Sequence, residues 1–343
     1  MSIVVVGAGA IGLLVAGRLA QSRQPIVLLA RPAIGAAIQA HGLHIRQDEH
    51  LHVVHDLAII GDPAELAQQD RSPELAILCV KGYDTAGALP ALESLQPRAI
   101  LTLQNGIGNE ELLAARFGAD RIISGVITIS VEVEQPGRVA ITKNGGIGLA
   151  SLDGRQPLDQ WMAAFRAAHF QVQAYPDYRA MKWSKALLNM LGNATAAILD
   201  LPVEQVYADR RLVALERRMF LEALQVMQRL GIRPVNLPRY PAALLATALR
   251  TLPAALLNPL LRRLIGGGRG RKPPSLQLDL ARGNPRSEGE FLYGAVVRAA
   301  EQIGSAAPVN RALWETLRAI ASGEVAWSVY RHRPELLLDA AKG

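Results

Sequence analysis

Ile3-Val4-Val5-Val6-Gly7-Ala8-Gly9-Ala10-Ile11-Gly12 is a short apolar run followed by three glycines spaced G-x-G-x-x-G. A β-branched run ended by glycine reads as a buried strand. The Ala- and Leu-rich segment from Ile11 to Gln21 reads as the helix that follows. In that setting each glycine has its own task. Gly7 permits the sharp turn, Gly9 lets the backbone approach a pyrophosphate, and Gly12 lets helix and strand pack closely. The helix N-terminus adds amide donors for phosphate oxygens. Gly7, Ala8, Gly9, Ala10, Ile11 and Gly12 are therefore the expected dinucleotide cradle.

Further strands are expected at Pro25–Leu29, His52–Ile59, Leu75–Val80, Ala99–Leu103 and Ile122–Ile129, with helices at Arg31–His41 and Asp84–Leu95 between them. Such alternation marks a mainly parallel sheet covered by helices on both faces. Val139–Thr142 and Gly146–Ala150 flank Lys143-Asn144-Gly145, where Asn-Gly suits a tight hairpin closing the sheet's far edge. From Tyr178 onward long helical periods take over at Ala180–Leu199, Val213–Leu230, Glu288–Ile303 and Arg311–Ser322, and nothing there reads as a strand. The expected architecture is an α/β doubly wound Rossmann domain over residues 1–177 and an all-α domain over 178–343.

In such sheets ligands bind beyond the carboxyl ends of the strands. The second strand ends Leu29-Ala30-Arg31. An NAD site usually places an acid there, whereas Arg31 can fork onto a 2′-phosphate, so NADPH is expected over NADH. Lys81 and Asn105 follow the fourth and fifth strands and should face the same crevice. In the second half, Lys182, Lys185, Asn189 and Asn193 fall on one narrow arc of the helix expected over Met181–Asn193, among Leu, Met and Ala. Such a polar stripe is costly unless something polar fills the space against it. A desolvated lysine near nicotinamide can act as general acid for the alkoxide formed by hydride transfer to a ketone.

The chain has 343 residues, half of them hydrophobic and 20% charged, which excludes a disordered or collagen-like chain. Its formal charge of +7 is local. Residues 237–286 hold nine basic residues, Arg239, Arg250, Arg262, Arg263, Arg269, Arg271, Lys272, Arg282 and Arg286, against Asp279 alone. That segment, broken by Pro253 and Pro259, reads as two or three short helices and a flexible basic loop. It fits a solvated insertion, a lid over an anionic ligand, or a membrane or nucleic-acid surface. Tyr240 is its one aromatic residue, which counts against base stacking. The expected role is to border the substrate cleft and attract small anions through Arg269, Arg271 and Lys272.

The lone cysteine, Cys79, lies in an apolar run and reads as a buried strand thiol. The histidines crowd at His41, His44, His50, His52 and His55 without metal-ligand spacing, so no metal is expected. No apolar run is long enough for a spanning helix. Met1-Ser2 leads straight into Ile3 without a basic start, so no secretory leader, and a cytoplasmic setting, are expected.

Taken in order, GAGAIG at Gly7–Gly12, Arg31, Lys81, Gln104-Asn105-Gly106, the Lys182-Trp183-Ser184-Lys185…Asn189…Asn193 helix and Ser275…Arg286-Ser287-Glu288 resemble the ketopantoate reductase (2-dehydropantoate 2-reductase) family. The resemblance implies reduction of 2-dehydropantoate to pantoate with NADPH, on the way to coenzyme A, in a cleft between a Rossmann domain and a helical domain. It implies that Lys185 is the catalytic lysine, with Lys182 its local competitor. Asn105 would touch nicotinamide and substrate, and Asn189, Asn193 and Ser275 the substrate. Lys81 would lie on the cofactor side, and Glu288 near the cofactor ribose. A small 2-oxo acid is the expected partner, and a homodimer is compatible with the resemblance; nucleic acid and membrane insertion are not expected. Val203 stands where the family usually has a substrate-contacting asparagine, and the 237–274 insertion is longer and more basic than usual. Both leave room for a different 2-oxo acid. A non-catalytic NADPH-binding or surface-binding protein is the reading from another class.

Overall fold

The computed structural model describes residues 2–67, 72–266 and 273–342. It divides into two compact units, Met1–Lys182 with Leu237–Tyr240, and Trp183–Asn236 with Pro241–Gly343. The texture of the sequence changes at Asp177, whereas the units divide after Lys182, inside a helix.

The strands of the first unit are β1 Ile3–Val6, β2 Ile26–Leu29, β3 Leu43–Gln47, β4 His50–Val54, β5 Ala58–Ile60, β6 Leu75–Leu78, β7 Ala99–Thr102, β8 Ile122–Ile127, β9 Ser130–Gln135, β10 Arg138–Lys143, β11 Ile147–Ser151 and β12 Val172–Ala174. Its helices are α1 Ala10–Gln21, α2 Pro32–His41, α3 Ala64–Ala67, α4 Thr85–Leu95, α5 Asn109–Phe117 and α6 Asp159–Ala167. Helix α7, Tyr178–Met190, runs across the division. The second unit holds α8 Ala194–Leu199, α9 Val203–Ala208, α10 Arg210–Arg229, α11 Ala242–Thr251, α12 Ala254–Leu261, α13 Ser275–Ala281, α14 Tyr293–Gln302, α15 Pro308–Ser322 and α16 Pro334–Ala340. Among the described residues none of its segments is a named strand, and no helix is long and apolar enough to cross a membrane.

The large sheet has the order β12-β11-β8-β7-β6-β1-β2-β5. From β5 to β8 every pairing is parallel, and β11 returns antiparallel to β8. The direction of strand addition reverses between β1 and β6, the switch point of a doubly wound fold. Burial on both faces explains why these strands are apolar without alternation. Ile3 and Val5 of β1 pack with Leu13 of α1 and Trp161 and Phe165 of α6. Val4 and Val6 pack on the opposite face with Leu92 of α4 and Leu113 of α5.

A second sheet, of order β4-β3-β10-β9, departs from the sequence reading in two places. The run expected as one strand over His52–Ile59 is two strands in different sheets, β4 and β5, parted at His55-Asp56-Leu57. The expected hairpin at Asn144-Gly145 is absent, because β10 pairs with β3 and β9 while β11 pairs with β8 and β12. A two-residue hairpin of the Asn-Gly type needs positive φ at both residues, and neither Asn144 nor Gly145 has it. Gly145 answers a different need, since a Cβ there would lie 2.4 Å from Thr128 C.

Candidate active site

In the first unit the three glycines carry three distinct constraints. Gly7 has φ +106°, and a Cβ on it would meet Val80 N at 2.9 Å. A Cβ on Gly12 would lie 1.8 Å from Gly7 O, so α1 packs directly on the end of β1. Gly9 is exposed, and a Cβ there would meet nothing within 4 Å. Helix α1 starts beside that open space with no capping side chain and no acidic residue in its first turn. Its amides and dipole are therefore available to an anion.

Helix α2 starts in the same way, with Arg31 as its N-cap residue, Pro32 first in the helix and no acid in the first turn. The preceding Ala30 is buried and donates its N–H to Ile60 O at 3.0 Å. Arg31 is exposed, and its side chain has no partner among the described residues.

Lys81 and Asn105 stand just beyond β6 and β7 on a buried polar network. Gln104 Nε2 donates to Val80 O at 3.1 Å and to Thr85 Oγ1 at 2.7 Å, while Gln104 Oε1 accepts from Thr102 Oγ1 at 3.0 Å. Thr85 Oγ1 lies 2.7 Å from Gly82 O and 3.1 Å from Asn109 Oδ1. Asn109 Nδ2 donates to Asn105 O at 3.1 Å. Thr85, Thr102, Gln104 and Asn109 bond one another and the backbone of Val80, Gly82 and Asn105, which fixes the segments that carry Lys81 and Asn105.

Lys182 belongs to the same network. Its Nζ donates to Gln104 O at 2.6 Å and pairs with Glu110 Oε1 at 2.9 Å. Ser124 Oγ donates to that same carboxylate oxygen at 2.8 Å. Lys182 is 3% exposed and Glu110 1%. Both charges are thus spent on each other inside the unit, and this amine is tied to the end of β7.

In the second unit α7 ends at Met190 rather than continuing through Asn193. Gly192 turns to φ +65°, where a Cβ would meet Val203 Cγ1 at 2.9 Å and Tyr207 Cε2 at 3.1 Å. Buried groups repair the break. Tyr293 donates its hydroxyl to Met190 O at 2.6 Å and accepts from Ala194 N at 3.0 Å. Glu216, fully buried on α10, accepts from Gly192 N at 2.6 Å, from Tyr207 Oη at 3.3 Å and from the Thr195 hydroxyl.

Asn193 therefore leaves the stripe expected on a single helix and becomes the N-cap residue of α8. Its Nδ2 donates to Asn189 O at 3.0 Å, and its Oδ1 accepts from Leu276 N at 3.4 Å. This draws the end of α7 toward the start of α13, where Ser275 is exposed as the first helical residue. Lys185 and Asn189 are half-buried on α7. Glu288 is buried on a separate 3₁₀ turn, Glu288–Phe291, capped by Ser287 Oγ accepting from Gly289 N at 3.1 Å. Val203 packs on Gly192 in the core.

Arg269, Arg271 and Lys272 lie outside the described residues. Cys79 sits just past β6, partly buried, with its thiol pushed up to about 12 by desolvation. Among the described residues no group of three or more His, Cys, Asp or Glu could hold a metal ion.

Sequence reasoning missed Glu110, Glu216 and Tyr293. One signal was available for Glu216. It lies four residues after Leu212 and three before Met219, in the middle of the apolar face of α10.

Two family models cover most of the chain. The one described as ketopantoate reductase PanE/ApbA matches residues 3–154, and the one for the C terminal part of the same proteins matches residues 177–321. The 2-dehydropantoate 2-reductase of Archaeoglobus fulgidus is 26% identical over 325 residues, which span 93% of this chain and 97% of the relative. The solved PanE/ApbA family ketopantoate reductase from Ralstonia eutropha superposes with a TM-score of 0.80 at 27% identity, covering 94% of this chain and 99% of that one. A D-mandelate dehydrogenase solved with NADH and anilino(oxo)acetate gives a TM-score of 0.77 over 94% of this chain and 99% of its own. At 21% identity it is similar in fold alone.

Proposed function

The chain belongs to the ketopantoate reductase family, and on that premise we propose that it reduces 2-dehydropantoate to (R)-pantoate with NADPH. One observation carries the cofactor half of the reading. The space before Gly9 is open at an uncapped helix start, and the neighbouring strand end offers an exposed Arg31 in place of an acid. The residues present fit a phosphorylated dinucleotide, with Gly7–Gly12 for the pyrophosphate and Arg31 for the 2′-phosphate. Lys81, Asn105 and Glu288 are assigned to the cofactor side. When bound, the nicotinamide supplies the hydride that the carbonyl carbon receives.

The remaining chemistry falls to the chain. Lys185 orients the 2-oxo oxygen and gives it a proton as negative charge develops there. Lys182 is excluded from that task in this reading, because its amine is held by Glu110 and the Gln104 carbonyl. Asn105 and Asn189 position the substrate, and Ser275 binds its carboxylate or hydroxyl. Asn193 spends its carboxamide oxygen on Leu276 N and so supports the start of the Ser275 helix as well as facing substrate. A cytoplasmic place in coenzyme A precursor synthesis belongs to the same proposal.

Val203 favours a second reading, an NADPH-dependent reductase of a different small 2-oxo acid. The position the family gives to a substrate-binding asparagine is here an apolar side chain packed on Gly192. Oxidation of NADPH and NADH against a panel of 2-oxo acids separates the two. The first reading expects the highest kcat/KM for 2-dehydropantoate with NADPH. A higher value for another 2-oxo acid supports the second, and no turnover with any of them overturns both.

A further inference from the structure

A polar pocket lies in the first unit, and none of the residues that line it belongs to the glycine turn. It is half open to the surface, has a volume of about 330 Å³ and is lined by Arg18, Gln47, Ile129, Asn144, His169, Gln171 and Arg239, with no acidic residue in its wall. That volume is at the lower end of small-ligand sites, which run from about 300 to 1,000 Å³. Arg18 is on α1, about 12 Å along the helix axis from its first residue at 1.5 Å per residue.

The cavity is built by specific contacts. Arg18 Nη2 donates to Gln47 Oε1 at 2.8 Å, and its guanidinium lies 5.0 Å over the Phe170 ring. Gln47 Nε2 donates to Asn144 Oδ1 at 3.2 Å. Arg239 Nε donates to Gln171 Oε1 at 2.9 Å. The short segment that carries Arg239 is seated firmly. Leu237 and Tyr240 exchange two backbone hydrogen bonds of 2.8 Å, and Thr128 Oγ1 donates to Pro238 O at 2.9 Å. A Cβ on Gly146 would meet Pro238 Cβ at 2.8 Å, so glycine is what lets this segment approach.

The chemistry of the wall is one-sided. Two guanidinium groups, an imidazole and three carboxamides face one space, and the arginines are held by neutral amide oxygens rather than carboxylates. Burial pulls the Arg18 guanidinium below its ordinary value, the mark of a cation that has lost water without gaining a counter-ion. Planar forks of this kind suit an oxyanion with several acceptor oxygens.

We propose that this cavity is an oxyanion site, separate from the cofactor cradle, that takes phosphate or a small phosphomonoester between Arg18 and Arg239. The proposal does not rest on the reductase reading, because none of these residues is assigned to it.

Phosphorus NMR titration of the full chain with inorganic phosphate, and in a parallel arm with glycerol 3-phosphate, tests it. The background is Arg31→Ala, which weakens phosphate binding at the cofactor cradle. Saturable binding is expected to survive there and to weaken about tenfold or more with Arg239→Gln, and again with Arg18→Lys, which keeps the charge but removes the fork. Arg239 is exposed, so its substitution leaves the fold in place. Tighter binding of glycerol 3-phosphate than of phosphate assigns the site to a phosphomonoester, and the reverse order to the free ion. No saturable binding in the Arg31→Ala protein, or binding that both arginine variants leave unchanged, overturns the proposal.

Discussion

Each unit buries a carboxylate completely, and the groups seen to hold the two differ in kind. Beneath the strand ends of the first unit, Lys182 and Glu110 neutralise one another, with Ser124 and the Gln104 carbonyl completing their hydrogen bonds. At the helix break of the second unit, Glu216 gathers hydrogen-bond donors from the backbone and from hydroxyl groups. It accepts from Gly192 N and from the hydroxyls of Thr195 and Tyr207. The pair in the first unit meets charge with charge, so its two charges can be removed together, leaving only the Ser124 hydroxyl and the Gln104 carbonyl to be satisfied. The carboxylate in the second unit collects donors from three segments, so nothing apolar can replace it without stranding them.

That contrast sets the order of the expected effects. Lys182→Met leaves Glu110 buried and unpaired and should cost about 3–5 kcal/mol. The double variant Lys182→Met/Glu110→Met should recover most of that loss in urea unfolding. If the double variant is as unstable as the single, the pair is not self-contained and the comparison breaks. Glu216→Ala strands buried donors, each worth about 1–3 kcal/mol, so a loss of at least about 3 kcal/mol is expected. No second substitution of one partner should restore it, and a loss under about 1 kcal/mol would show that water replaces the carboxylate.

Arg31→Ala probes the first unit without touching its interior. It should raise the KM for NADPH about tenfold or more and leave that for NADH unchanged. Equal rises for both cofactors would contradict the assignment of the 2′-phosphate. The smallest effect is expected at Asp209, the half-buried cap of α10, which accepts from Arg211 N at 2.8 Å. The Arg211 side chain beside it holds its carboxyl below the usual carboxylate range. Its stabilising effect is therefore present above the ordinary carboxylate pKa and is lost as pH falls through the depressed one. Asp209→Ala should cost about 1 kcal/mol at neutral pH and progressively less in acid. A pH-independent difference would remove the charge from that account.

The first unit was far more legible than the second. Its parallel strands are buried on both faces and bounded by glycine, so Ile3–Val6, the glycine turn and the strand ends carrying Lys81 and Asn105 all stand out in one sequence. The smaller sheet does not, because Leu43–Gln47 and Ser130–Gln135 are short and partly polar, and Asn144-Gly145 imitates a hairpin turn while serving a close backbone approach. In the second unit the break at Gly192 was hidden. A lone glycine in a helical period is tolerated locally, and what stops the helix is its packing against Val203 and Tyr207, residues distant from the turn itself. Glu110 was hidden for another reason. An acid in the first turn of α5 is what the helix dipole alone would favour, so nothing marked it as half of a buried pair.

The assignment of two neighbouring lysines to different tasks is the centre of the account, and single-turnover kinetics of Lys185→Ala with saturating NADPH and 2-dehydropantoate test it most directly. The expected result is a rate reduced by about 10²- to 10⁴-fold, the usual worth of a general acid, with NADPH affinity and folding stability unchanged. Normal turnover by Lys185→Ala would contradict the account and return the proton to another donor.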